Sequence, residues 1–237
     1  MIEWDDYWKD YAASKAEKWL ISERDKIINK YLNRIKTPKK KILEVGCGFG
    51  SNLRLINSTR KDVNCFALDN SIEAIKAIKG VIPNAVVSDC RNTGFTDNKF
   101  DLIYSAGLME HFKDEVPFLS EMKRIVKDDG YVITIVPARY SLWKLYQIIH
   151  FGLWQHGYEK AYTYNGLGAL VKENGFRVIE ITGIDPFSIS GFIMKLFNTS
   201  FNPVIKKSPQ KSGYTELCVV AKKEIRQKTE RSVERKA

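Results

Sequence analysis

Apolar residues recur along this chain in two rhythms, short buried-strand runs and longer one-face helical stretches, and the two alternate. Residues 1–36 read as helical, with aromatics Trp4, Tyr7, Trp8, Tyr11 and Trp19 ahead of an amphipathic stretch over 21–35. Thr37-Pro38 ends that pattern, because proline and the residue before it both resist helix. Seven apolar runs, 41–45, 63–69, 85–88, 100–105, 131–136, 176–184 and 214–221, then read as strands. Between them, Asn70 and Glu73 predict a reciprocal cap for a helix over 71–79. Phe118, Leu119, Met122, Ile125 and Val126 fall on one helical face, and Asp128-Asp129-Gly130 predicts a turn into the fifth strand. A helix over 164–173 stops at Asn174-Gly175. Strands alternating with helices predict an α/β domain, a seven-stranded, mainly parallel sheet with helices on both faces.

Two segments break the alternation. Residues 140–154 and 187–205 are rich in aromatic and aliphatic side chains, each around a single lysine. Both follow late strands, where loops at the carboxyl edge of an α/β sheet build ligand sites. They are expected to be lids over a partly apolar acceptor, lipid-facing surfaces, core packing or a dimer interface. The organisation predicted is a helical cap over 1–37, one domain over 38–222 with insertions 138–162 and 186–212, and a basic tail over 223–237.

Composition adds little until charge is considered. At 237 residues the chain suits one domain, and 44% apolar with 28% charged residues is ordinary for a globular protein. The formal net charge is +10, and residues 222–237 alone hold seven Lys or Arg against three Glu. A solvated tail explains that run, and attraction to nucleic acid or anionic lipid is the functional alternative. Cys47, Cys65, Cys90 and Cys218 are scattered, which predicts reduced thiols and no metal site. The acidic start Met1–Asp6 lacks an apolar signal region and no apolar run approaches membrane-spanning length, so a cytoplasmic location is expected, with peripheral membrane contact as a further reading.

Chemistry concentrates at strand ends. Ile42-Leu43-Glu44-Val45-Gly46-Cys47-Gly48-Phe49-Gly50-Ser51-Asn52 takes a strand through an acid into three glycines spaced two apart. Glycine there lets backbone approach a ligand closely and tolerates unusual dihedrals. The second strand ends on Asp69, whose carboxylate offers two acceptor oxygens and suits a vicinal diol. The third is followed by Asp89-Cys90-Arg91, and the fourth by Ser105-Ala106-Gly107-Leu108-Met109-Glu110-His111. The glycine corner and Asp69 alone also fit a nicotinamide-dependent oxidoreductase.

Taken together these positions resemble the class I S-adenosylmethionine-dependent methyltransferases, in their small-molecule branch, over residues 38–136. The resemblance implies a Rossmann-like fold and S-adenosyl-L-methionine as cofactor, with S-adenosyl-L-homocysteine as product. It assigns Glu44, Gly46, Cys47, Gly48, Gly50 and Asn52 to the cofactor's methionine side and Asp69 with Asn70 to the ribose. Asp89, Cys90 and Arg91 go to the adenine, and Ser105, Ala106, Gly107 and His111 to the region beside the methyl group, with Tyr11 as a cap. His111 and His156 are candidate bases, His111 with packing at a helix start as its alternative role. The Asn/Asp-Pro-Pro-Tyr/Phe signature of nucleobase-amine and glutamine methylation is absent. The expected activity is methyl transfer to a small, partly apolar or lipid-like molecule. An RNA methyltransferase and a non-catalytic partner subunit are the alternatives, nucleic acid being disfavoured because no RNA-binding module is present. The acceptor and the oligomeric state are not written in these motifs.

Overall fold

Alternate residues of the first strand face opposite ways, and that divides the interior in two. The computed structural model describes residues 15–139, 159–184 and 216–224, with side chains from residue 23 onward. The strands are β1 (Lys40–Val45), β2 (Val63–Asp69), β3 (Asn84–Val87), β4 (Phe100–Ala106), β5 (Val126–Pro137), β6 (Phe176–Ile184) and β7 (Glu216–Lys223). The helices are α1 (Lys15–Leu32), α2 (Ser51–Thr59), α3 (Ile72–Lys79), α4 (Val116–Ile125) and α5 (Tyr164–Glu173), with a 3-10 turn at Met109–His111. Ile42, Cys65, Ala67, Leu102 and Ile133 pack on one face with Ile28, Tyr31 and Leu32 of α1, Leu53 and Ile56 of α2 and Ile78 of α3. Leu43, Val45, Leu68, Ile103 and Val132 pack on the other with Phe118, Leu119 and Met122 of α4 and Leu167 and Val171 of α5. Removing such side chains from water is worth about 1.5–3 kcal/mol each, so the faces of the helices set their docking.

The seven strands lie in the order β3-β2-β1-β4-β5-β7-β6. All pairings are parallel except those of β7, which runs antiparallel to both β5 and β6. The strand order reverses between β1 and β4, and the crevice beyond their carboxyl ends is the expected ligand position. Two local readings are corrected. The cap of α3 is Ser71, whose hydroxyl accepts from the Ala74 amide at 3.1 Å, while Glu73 pairs with Lys76 at 2.9 Å. Asn70 is left exposed beside the crevice. Asp128-Asp129-Gly130 is no separate turn: it lies within β5 as an irregularity, because Phe100 pairs with Val126 and Leu102 already with Tyr131. Among the described residues, no helix is long and apolar enough to cross a membrane. Most of both aromatic insertions, the first fourteen residues and the tail beyond 224 lie outside the described residues.

Candidate active site

The corner after β1 is built by glycine in the left-handed region. Gly46, Gly48 and Gly50 have φ of 67°, 48° and 63°. The Gly46 and Cys47 amides both donate to the Leu68 carbonyl, at 2.8 and 3.1 Å, which ties the loop to the end of β2. A Cβ on Gly46 would sit 2.9 Å from the Leu108 side chain, and one on Gly50 would sit 1.9 Å from Ile78 Cδ1. Gly50→Ala therefore combines a left-handed alanine with overpacking, together about 2–4 kcal/mol of lost unfolding free energy. Chemical denaturation should show that loss, and an unchanged midpoint would contradict the reading of this corner.

Asp69 holds the next part. Its Oδ2 accepts the Gly48 amide at 2.8 Å and its Oδ1 accepts the Ser71 amide at 3.0 Å. The buried carboxylate thus shapes both the glycine loop and the start of α3, and still keeps lone pairs for a ligand. Asp69 lines one pocket together with Gly46, Asn70, Ser88, Asp89, Cys90, Arg91, Gly107, Leu108, His111 and Phe112. Asp89 is paired across that rim with Arg91, Nη2 to Oδ2 at 2.7 Å, and accepts the Arg91 amide at 2.8 Å. Arg91 lowers the Asp89 carboxyl below its ordinary value through that pairing. The Arg91 guanidinium in turn sits 5.9 Å from the Phe112 ring centroid. The wall is anchored from below: Glu121 of α4 accepts the Thr93 amide and hydroxyl at 2.8 and 2.6 Å.

Gly46, Asp69, Asn70, Asp89, Cys90, Arg91, Gly107 and His111 are thus brought together. Glu44, Cys47, Gly48, Gly50 and Asn52 form the loop and the layer beneath it, and do not line the pocket. Ser105 is buried at the end of β4 and Ala106 is half-buried, so the turn beyond them, at Gly107 and Leu108, supplies the wall. Tyr11 and His156 lie outside the described residues. Sequence reasoning missed Ser88, Leu108 and Phe112, whose types carry no ligand signal.

A second group missed from sequence is a set of buried charges near the glycine loop and the 3-10 turn. Arg24 of α1 forms a two-pronged pair with Glu216 of β7, its Nε donating at 3.2 Å. Burial opposes the Arg24 charge, and Glu216, Glu44 and Glu110 more than restore it. Glu44 and Glu110 are 6% and 2% exposed, and Oε2 of each has no hydrogen-bond partner. Burial pushes the Glu44 carboxyl up to about 8, against smaller opposing effects of the Tyr104 hydroxyl, Arg24 and the Leu53 amide. The Tyr104 hydroxyl is itself buried and forms no hydrogen bond of good geometry. Glu110 is likewise pushed up to about 8 by burial, with Glu159 and Glu216 adding to the rise. No sequence signal joins Arg24 to Glu216 across 192 positions.

Residues 43–134 match the family model described as a methyltransferase domain. The chain is 28% identical over 109 residues to ajmaline N-methyltransferase of Rauvolfia serpentina, covering 41% of this chain and 37% of that one. It is 29% identical over 104 residues to the chloroplastic tocopherol O-methyltransferase of Arabidopsis thaliana, covering 40% and 30%. The matched region is less than half the length of these curated relatives. A crystal structure of a SAM-dependent methyltransferase from Archaeoglobus fulgidus superposes with a TM-score of 0.62 at 20% identity, covering 86% of this chain and 94% of that one. The strand order, the glycine corner and the matched segment agree: residues 43–134 match a methyltransferase domain, set on the Rossmann-like fold that S-adenosylmethionine-dependent methyltransferases share.

Proposed function

We propose that the chain binds S-adenosyl-L-methionine in this pocket and transfers its methyl group to a small, partly apolar acceptor, releasing S-adenosyl-L-homocysteine. One observation carries the reading: the ends of β1, β2, β3 and β4 deliver Gly46, Asp69, Asp89 and Gly107 to the walls of a single pocket. The residues fit the cofactor. The left-handed glycines leave room that a Cβ at Gly46 would contest, and Asp69 retains acceptor capacity for a diol. Glu44 Oε2 and Ser105 Oγ are buried polar atoms without partners beneath the glycine loop and at the end of β4, as a polar ligand site allows.

The cofactor's sulfonium supplies an already activated methyl group. What remains for the chain is to align the acceptor and exclude water. Asp69 fixes the loop through Gly48, the Arg91–Phe112 contact closes the rim, and Gly107 lets the wall beside β4 approach closely. The N- and O-methyltransferase relatives support methyl transfer without choosing the acceptor atom. The apolar side chains of 140–154 and 187–205 support a partly apolar acceptor, including a lipid-like one presented at a membrane surface.

Calorimetry should show S-adenosylmethionine and S-adenosylhomocysteine binding, with no affinity for NAD. Tight NAD binding without either would overturn the reading. Labelled cofactor incubated with metabolite extract should mark a small apolar product. Label entering transfer RNA would favour the RNA alternative, and absence of liposome flotation at low salt would remove the membrane version.

A further inference from the structure

The proposed function uses the carboxyl edge of the sheet and leaves a cavity at the opposite edge without a role. That cavity has a volume of about 230 Å³ and lies where β4 and β5 begin and β7 ends. Arg34 and Lys36 reach it from the segment after α1, Asp101 from β4, Asp129 and Tyr131 from β5, and Lys222 from β7. The seven residues of β4 separate it from the methyl-transfer pocket, a distance of about 20 Å. Two of its cations stand on tyrosine rings. The Arg34 guanidinium lies 4.9 Å from the Tyr31 ring centroid, and the Lys222 ammonium 4.3 Å from that of Tyr131. The two rings pack together at 5.0 Å, so both charges share one bed. Among the described residues, the side-chain charges of Arg34, Lys36 and Lys222 are paired with no acid. The acids close by are mostly spent. Asp101 accepts the Thr37 hydroxyl at 3.1 Å, the Lys127 ammonium at 2.7 Å and the Lys41 amide at 2.8 Å. Glu180, beside Tyr31, is taken by Lys30 at 2.7 Å and by the Tyr31 hydroxyl. Asp129 is the exception, exposed at the rim. Three cations against that one acid leave the cavity positive. Lysines scattered over a convex surface signify only solvation, but here aromatic faces hold two charges in a concave site without neutralising them, and an anion completes such a site.

We propose that this cavity is a second ligand site, for a phosphate monoester, separate from the methyl-transfer pocket. A guanidinium fork and two ammonium groups offer more charged donors than one carboxylate can accept, and they match the three terminal oxygens and double charge of a monoester. A phosphodiester brings a single charge and would leave cations unmatched. The distance from the cofactor pocket keeps the bound phosphate away from the methyl group, so the ligand is an anchor or a small effector and not the methyl acceptor. The same monoester chemistry occurs in small soluble metabolites and at the surface of a membrane that carries a phosphomonoester lipid.

The test is calorimetry on the full chain at low salt, with glycerol 3-phosphate as the monoester and glycerophosphocholine as its diester counterpart. The monoester should bind with a Kd of about 1 mM or tighter, and the diester about 10-fold more weakly or not at all. Arg34→Ala and Lys222→Ala should each weaken monoester binding by about 10-fold, and Asp129→Asn should strengthen it by removing a like charge. If either alanine variant is destabilised, Lys36→Ala decides, because that side chain is exposed and unpaired. Flotation with phosphatidylcholine vesicles, with and without phosphatidic acid, separates the two sources. Capture by phosphatidic acid that Lys222→Ala abolishes assigns the site to a lipid headgroup, and binding of the soluble monoester without capture assigns it to a metabolite. Either result supports the site. Absence of both kinds of binding overturns the inference, as does equal binding of the diester or binding that survives all three alanine substitutions. S-adenosylhomocysteine affinity should stay within about twofold in every variant, as expected for sites about 20 Å apart. Failure of S-adenosylhomocysteine to bind the unaltered protein would strike the proposed function and leave this site standing.

Discussion

Replacing Asp69 with alanine is expected to lower S-adenosylmethionine affinity by about 100-fold or more, measured by calorimetry, and to reduce stability at the same time. The two effects share one cause. The carboxylate accepts the Gly48 amide through Oδ2 and the Ser71 amide through Oδ1, so alanine leaves two inward-facing donors without partners. Hydrogen bonds to a charged group are worth about 1.5–3 kcal/mol each, and a buried donor left unmade costs a similar amount. The affinity loss adds the diol contacts to the loosened glycine corner, and two charged hydrogen bonds suffice for a factor of about 100 or more. Asp69→Asn separates the parts. Its amide group brings two donors to a place where Gly48 and Ser71 already donate, so one of those bonds should be lost and the affinity should remain impaired. Asp89→Ala is the comparison. That carboxylate is half exposed and already paired with Arg91, so its loss should weaken binding several-fold, with little change in stability. Equal effects at the two positions would refute the claim that Asp69 organises the site.

The difference between those two acids also marks what could be read from sequence. Strands and helices were legible where a single face is buried, as along Phe118, Leu119, Met122 and Ile125, or where a run such as 63–69 is buried throughout. The glycine corner was legible because its spacing, with an acid before it, has few other uses. Local chemistry with two near-equal solutions was less so. Asn70 and Ser71 both cap helices well, and Asp69 decided between them by accepting the Ser71 amide, leaving the hydroxyl of Ser71 for Ala74. Asp128-Asp129-Gly130 has turn composition, but neighbouring β4 absorbs the extra residues as an irregularity in β5. The buried charges were invisible for a different reason. Arg24 lies on a helix whose pattern reports one apolar face, and its partner comes from the other end of the chain. Glu110 was legible as part of a segment, while the burial of its carboxyl is a property of packing alone.

Glu44→Gln is expected to stabilise the free protein at alkaline pH and weaken it as a cofactor-binding protein. The folded carboxyl titrates at about 8 because burial penalises its charge, while in the unfolded chain it returns to the ordinary value near 4.5. Between those values the folded state holds a proton that the unfolded state has released. Stability therefore falls as pH rises through that window, and the full penalty is present above about 8. A window of this width corresponds to several kcal/mol at most, and relaxation around Oε2 reduces what is observed. Glutamine has no proton to lose, so the wild-type protein should lose stability between pH 5 and 8.5 relative to the variant, and the melting temperatures should diverge accordingly. Glu110 contributes a slope of the same sign to both proteins, so the comparison isolates Glu44. Saturating S-adenosylmethionine should shrink the divergence, because a cationic ligand beside the carboxylate favours its charged form and draws the folded-state titration downward. A divergence of the opposite sign would show that Glu44 is ionised and well satisfied in the free fold. One unchanged by the cofactor would show that the acid of the glycine motif serves the corner and not the ligand.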